Sequence, residues 1–147
     1  VRTINTFNSA LSHRLYAGAD ILLMPSRYEP CGLSQLIAMR YGCIPVATDV
    51  GGLHDTIVDI RQNENGTGFL CDTVTSERFS GVISDALASF ANKTLWQDLI
   101  RNAMNPSRDS REMPAIVAAA GLRLAQRQSL GKADASRAAI FSPSDHL

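Results

Sequence analysis

Between residues 9 and 104, compact apolar runs alternate with segments whose apolar positions recur at helical spacing. "SALSHRLYAGA" sets Leu11, Leu15 and Ala19 about one turn apart, and Asn8 just ahead of it is a natural N-cap. "ILLMPS" is apolar without alternation, which predicts a strand buried on both faces, as in a parallel sheet. Leu33, Leu36, Ile37 and Tyr41 mark one face of a second helix that Gly42 ends. "CIPVAT" predicts another buried strand, and "LHDTIVDI", after "DVGG", a short helix. "RQNENGTG" is a polar turn and "FLC" a third strand. Phe79, Val82, Ile83, Ala86, Leu87 and Phe90 share one face of an amphipathic helix, and "LWQDLIRNAM" predicts one more. Strands alternating with helices predict an α/β fold, a Rossmann-like parallel sheet with flanking helices and right-handed connections.

Composition adds limits rather than a function. With 147 residues the chain suits one domain of ordinary size, and 45% hydrophobic with 19% charged residues is average for a globular protein. A net charge of zero gives no reason to expect nucleic acid or an anionic membrane as partner. No apolar run approaches the roughly 20 residues of a membrane span. The sparse set Cys31, Cys43 and Cys71 reads as reduced thiols of an intracellular protein. From Asn105 the pattern weakens, so residues 105–147 are expected to form a divergent, disordered tail. The chain opens on Val1 rather than Met, as expected of a fragment.

Ligands of open α/β sheets bind beyond the carboxyl ends of the strands. Three segments are expected there: the 27–34 loop, the 48–52 loop and the "NGTGF" turn. Gly32 and Leu33 are expected to open a helix with unpaired N–H groups, an arrangement suited to phosphate. Gly51 and Gly52 allow close approach of a ligand at the next strand end. Taken alone, Glu29 reads as a solvated loop acid sooner than as a functional one. Cys31 reads as a small residue in a tight turn, since no neighbouring base supports a nucleophile. His13 has no second ligand at metal spacing and reads as packing or surface. Phe7 is either core or a face for stacking a base.

"SHRLYAGADILLMPSRYEPCGLSQLIAMRYGCIPV" closely resembles the nucleotide-sugar-binding domain of bacterial glycogen synthases and plant starch synthases. The resemblance runs from about Thr6 to Met104 through "GGLHDTI", "NGTGF" and "LWQDLIRNAM", and "EPCGL" followed by "QL" and "AMRYG" is long and unusual. It implies a retaining glucosyltransferase of two Rossmann-like domains. Residues 1–104 would be part of the C-terminal one, and the N-terminal domain lies outside this chain. It implies ADP-glucose as donor, an α-1,4-glucan as acceptor, and no metal or other cofactor. The compartment implied is the bacterial cytoplasm or the plastid stroma. Glu29 matches the family's essential acid beside the glucosyl group. Cys31, Gly32 and Leu33 match positions whose backbone meets the sugar and diphosphate. Ser34 stands where Thr is frequent, with its hydroxyl toward a phosphate. Phe7 matches an adenine-stacking aromatic, and Gly51 and Gly52 match the glycines of a "TGGL" turn.

Three departures accompany the resemblance. "ATDVGGL" lacks the basic residues that usually precede that turn and looks like a broader group of glycosyltransferases. That group carries a second glutamate eight residues after the first, where this chain has Ile37, which favours the synthase reading. The phosphate-binding Lys and Arg, and the "KxGGL" lysine, are expected outside these residues. After "RNAMN" the family continues into an aromatic stretch with "FSW", whereas "PSRDSREMPAIV" does not resemble it, so a frameshifted, spliced or artificial end is expected from Pro106. The alternatives are a transferase using another donor such as UDP-glucose, or a truncated, non-catalytic nucleotide-sugar-binding module.

Overall fold

The computed structural model describes residues 3–6, 8–30, 32–105 and, for the backbone alone, 138–140. In chain order the elements are α1 (Ser9–Gly18), β1 (Ile21–Met24), α2 (Ser34–Arg40), β2 (Ile44–Thr48), α3 (Gly51–Thr56), β3 (Phe69–Cys71), α4 (Ser76–Ala91), α5 (Lys93–Met104) and β4 (Ala138–Ile140). The strands form one parallel sheet in the order β3-β2-β1-β4. Ile21 lies beside Ile44 and Ala138, and Val46 beside Phe69. β4 falls within the segment 105–147; the rest of that segment after Asn105 lies outside the described residues.

The unalternating strands have the expected cause. Every residue of β1 and β2 is buried, because helices cover both faces of the sheet. Ile21, Leu23, Ile44, Val46, Phe69 and Cys71 pack with Val82 and Ala86 of α4 and with Trp96, Leu99 and Ala103 of α5. Leu22, Met24 and Ala47 pack on the other face with Tyr16 of α1 and Leu53 of α3. Each fully buried Leu or Phe contributes about 1.5–3 kcal/mol of transfer free energy. Asn8, Thr75 and Asn92 cap α1, α4 and α5, each side-chain oxygen accepting a backbone N–H three residues on. Cys43 and Cys71 are buried and not disulfide-bonded.

Two local expectations differ from the structure. α2 turns Gln35, Ala38 and Met39 inward, while Leu33 precedes the helix and is 63% exposed. Leu36 and Ile37 are only partly buried, one toward each core cluster. α3 begins at Gly51 and stops at Thr56, where a helix over 53–60 was expected. Ile57 is already extended, and Val58 and Ile60 pair with the chain ahead of β3: Thr67 N–H donates to the Val58 carbonyl and Ile60 N–H to the Gly68 carbonyl. β-branched Ile57 and Val58 favour that extended state over a further helical turn.

β3 is an edge strand, and the chain covers its edge with charge. Asp59 is buried, and its Oδ2 accepts the Leu70 N–H at 3.1 Å. The Arg61 guanidinium donates to the Leu70 carbonyl at 2.5 Å, pairs with Asp59 and reaches Asp85 at 2.9 Å. Burial alone would raise the Asp59 carboxyl, but the Arg61 side chain and the N–H groups of Arg61 and Leu70 outweigh it and hold the group below its ordinary 3.8. A depressed folded value stabilises the fold above the unfolded value, and that contribution is lost as pH falls through the folded one. Asp59→Asn is therefore expected to cost about 2 kcal/mol at neutral pH. Urea melts should show this gap closing below about pH 4. A gap constant with pH would remove the charge from the explanation.

Candidate functional site

The carboxyl ends of β1 and β2 are tied together before any loop begins. Pro25 has no N–H, so β1 stops at Met24 and the chain turns outward toward α2. Thr48 ends β2, is fully buried, and donates its hydroxyl to the Ser26 carbonyl at 2.5 Å. The two following turns then lie against each other.

Their contact is made by glycine and by the backbone of Glu29. Gly51 has φ +47°, and a Cβ there would sit 2.2 Å from the Glu29 carbonyl oxygen. The Gly52 N–H donates to that same oxygen at 2.8 Å. Gly32, at φ +60°, donates its N–H to Glu29 Oε1 at 3.1 Å. Glu29 is thus half-buried and held at both its carbonyl and its carboxylate. Tyr28 and Leu33 flank it on the surface.

Of the residues expected at the site, the structure brings Glu29, Gly32, Gly51 and Gly52 into direct contact. Leu33 and Ser34 follow at the start of α2, while Phe7 and Cys31 lie outside the described residues. The first helical residue is Ser34, not Gly32, and the Gly32 N–H expected to be unpaired is held by the Glu29 carboxylate. The Ser34 hydroxyl is hydrogen-bonded to Tyr16. Burial pushes the Tyr16 hydroxyl up in pKa, and the Ser34 bond pulls it the other way.

"NGTGF" belongs elsewhere. It precedes β3, and in a parallel sheet the start of β3 lies at the end opposite the finish of β1 and β2. Its Gly68 is pressed against the Pro45 carbonyl, where a Cβ would come within 2.7 Å, so the turn serves packing. His13 is also structural, with its ring nitrogen 3.2 Å from the Tyr41 hydroxyl.

Three side chains of the site are not evident from the sequence pattern. The Gln35 amide reaches Gly32, Gly52 and Thr56. Thr56 donates back to the Gly52 carbonyl at 2.5 Å. His54 lies 2.6 Å from Asp49, whose hydrogen bond and charge raise the imidazole pKa above its usual 6.5. That brace on the 49–52 turn is complete below the unfolded pKa and is lost as pH rises through the folded one. A signal for Gln35 is present in the sequence: it stands three and four residues before Ala38 and Met39, on the inward face of α2.

The family model for group 1 glycosyl transferases matches residues 4–105. A glycogen synthase from Thermodesulfovibrio yellowstonii is 51% identical over 98 residues, covering 67% of this chain and 19% of that one. Glycogen synthase 2 of Geobacter sulfurreducens is 48% identical over 100 residues, covering 67% and 21%. The catalytic domain of starch synthase IV from Arabidopsis thaliana, solved bound to ADP and acarbose, matches with TM-score 0.65 at 29% identity, covering 85% of this chain and 25% of that one. The chain spans about a fifth of the length of the curated relatives it matches.

Proposed function

The chain belongs to the group 1 glycosyl transferases, and we propose that it forms the donor-binding part of an ADP-glucose-dependent glycogen or starch synthase. The observation that carries this reading is the seating of Glu29, with its carboxylate and carbonyl oxygens held by the two glycine turns at the carboxyl ends of β1 and β2. Those are the strand ends at which open α/β sheets take ligands. The names of the relatives, and the ADP bound to the starch synthase, supply the substrate class.

In this reading the diphosphate meets the backbone of Cys31, Gly32 and Leu33 and the glycines 51 and 52, and a phosphate draws the Ser34 hydroxyl from its bond to Tyr16. Phe7 stacks on the adenine. Glucosyl transfer breaks the bond between the anomeric carbon and the phosphate oxygen, so positive charge develops on the sugar ring. The Glu29 carboxylate stabilises that charge, and a carboxylate counts for more where water is excluded. A glucan hydroxyl then bonds to the anomeric carbon, on the face the phosphate left if configuration is retained, and its proton passes to the departing diphosphate oxygen. The acceptor is held by the other wall of a two-domain cleft, so this segment alone binds donor and transfers nothing.

The test is calorimetric titration of the chain with ADP, UDP and ADP-glucose. Saturable ADP binding with Kd on the order of 1 mM is expected, with UDP weaker. No saturable binding of any of the three would remove the donor-site reading. A preference for UDP would replace the donor.

A further inference from the structure

We propose that Gln35 is a positioning residue, whose buried amide locks the Glu29 loop to the turn that opens α3; the consequence for donor binding rests on the donor-site reading above.

The geometry is specific. Gln35 lies in the first turn of α2 with no solvent exposure. Its Nε2 is 2.5 Å from the Gly32 carbonyl oxygen, 2.9 Å from Thr56 Oγ1 and 3.5 Å from the Gly52 carbonyl oxygen. Two of these neighbours only accept, so the NH2 must face them; a flipped amide would set oxygen against oxygen. Gly32 and Gly52 are also the residues whose N–H groups hold Glu29, one at its carboxylate and the other at its carbonyl. A single side chain therefore grips the carbonyl side of both segments whose N–H groups grip Glu29. Space is equally restricted, since a Cβ on Gly32 would fall 2.5 Å from Nε2.

The glutamine is satisfied on one side of its amide only. Among the described residues, Oε1 of Gln35 is buried with no hydrogen-bond partner. An unsatisfied buried acceptor costs about 1–3 kcal/mol, which offsets much of what the amide gains from its bonds to Gly32 and Thr56. The gain from the polar side chain is the fixed relation between two turns, Gln35 and Gly52 lying seventeen residues apart along the chain. That relation sets where the Glu29 carboxylate stands.

The test is amide hydrogen exchange followed by NMR on the whole chain. The Gly52 N–H, bonded to the Glu29 carbonyl, reports the contact between the turns, and the Val46 N–H in the central strand β2 reports the fold. In Gln35→Met, Gly52 exchange is expected to rise at least about 10-fold while Val46 changes less than about 2-fold. Thr56→Val, which keeps the volume but removes both a partner of the amide and the Thr56 bond to the Gly52 carbonyl, is expected to raise Gly52 exchange about 3-fold. If Gln35→Met does not fold, Gln35→Leu, which also removes the amide and leaves the Thr56 bond to Gly52 in place, decides instead. Gly52 rates that stay unchanged, or that rise only in step with Val46, overturn the lock. ADP titration separates the two readings. A native chain that does not bind ADP refutes the donor site while the exchange result still decides the lock. If the native chain binds, Gln35→Met should bind at least about 10-fold more weakly, and equal affinity overturns the positioning role.

Discussion

Gly51→Ala is expected to destabilise the chain by about 3 kcal/mol and to abolish its binding of ADP. Two effects add. At φ +47° a residue with a Cβ costs about 1–2 kcal/mol relative to glycine. The new Cβ would also stand 2.2 Å from the Glu29 carbonyl oxygen, and that neighbour is backbone, which cannot rotate aside. Relief requires the 51–52 turn to back away, which breaks the Gly52 N–H bond to Glu29 at a further cost of about 1 kcal/mol. The turn and the Glu29 loop then part, and the seat proposed for the diphosphate opens. Denaturant melts and the same calorimetric titration measure both effects. Gly51→Asn separates the causes, since asparagine tolerates positive φ yet brings the same Cβ. It should be nearly as damaging as alanine. An Asn variant that binds ADP like the native chain would mean that strain alone, not the clash, defines this turn.

The second large effect is on chemistry rather than stability. In a full-length transferase carrying this segment, Glu29→Ala is expected to lower kcat by about 10²–10³-fold, the usual loss when one group that stabilises transition-state charge is removed. The fold should persist, because Glu29 is only half-buried and its carbonyl, which receives the Gly52 N–H, stays in place. Glu29→Gln sharpens the test. It keeps an oxygen for the Gly32 N–H but carries no charge, so it should lose nearly as much turnover as alanine. Recovery of most turnover in Glu29→Gln would show that the side chain shapes the loop instead of stabilising charge. Near-normal turnover in Glu29→Ala would remove Glu29 from the chemistry altogether.

Much of the fold is legible along the chain because its causes are local. "ILLM" and "IPVAT" lack alternation because both faces of those strands are covered, and the period of α4 shows which side it buries except at Leu87, which lies at the margin of that face and is exposed. Asn8 can be placed as a cap from its chemistry and its position before an apolar period. Periodicity misplaces the α2 face because it counts Leu33 as helical, which shifts the apolar stripe away from Gln35, Ala38 and Met39. The end of α3 is misplaced for another reason. A pairing of Val58 and Ile60 with the chain before β3 overrides the helical pattern of "LHDTIVDI", and that partner is supplied by tertiary structure.

At the site the division is similar. From its own residues the chain announces an α/β sheet with glycine turns, and the unusual run "EPCGL" points to an acid-bearing loop between a strand and a helix. Only the folded sheet decides which turns meet. Parallel connections carry the ends of β1 and β2 to the same edge, so Glu29 and Gly52 touch although a helix and a strand separate them in sequence, while "NGTGF" is sent to the opposite edge. The Gly32 N–H is occupied by Glu29, and Gln35 faces inward and is bonded to both turns. No local period encodes such contacts. They arise because buried carbonyl groups must find donors, and the nearest donors in space are set by strand order rather than by sequence distance.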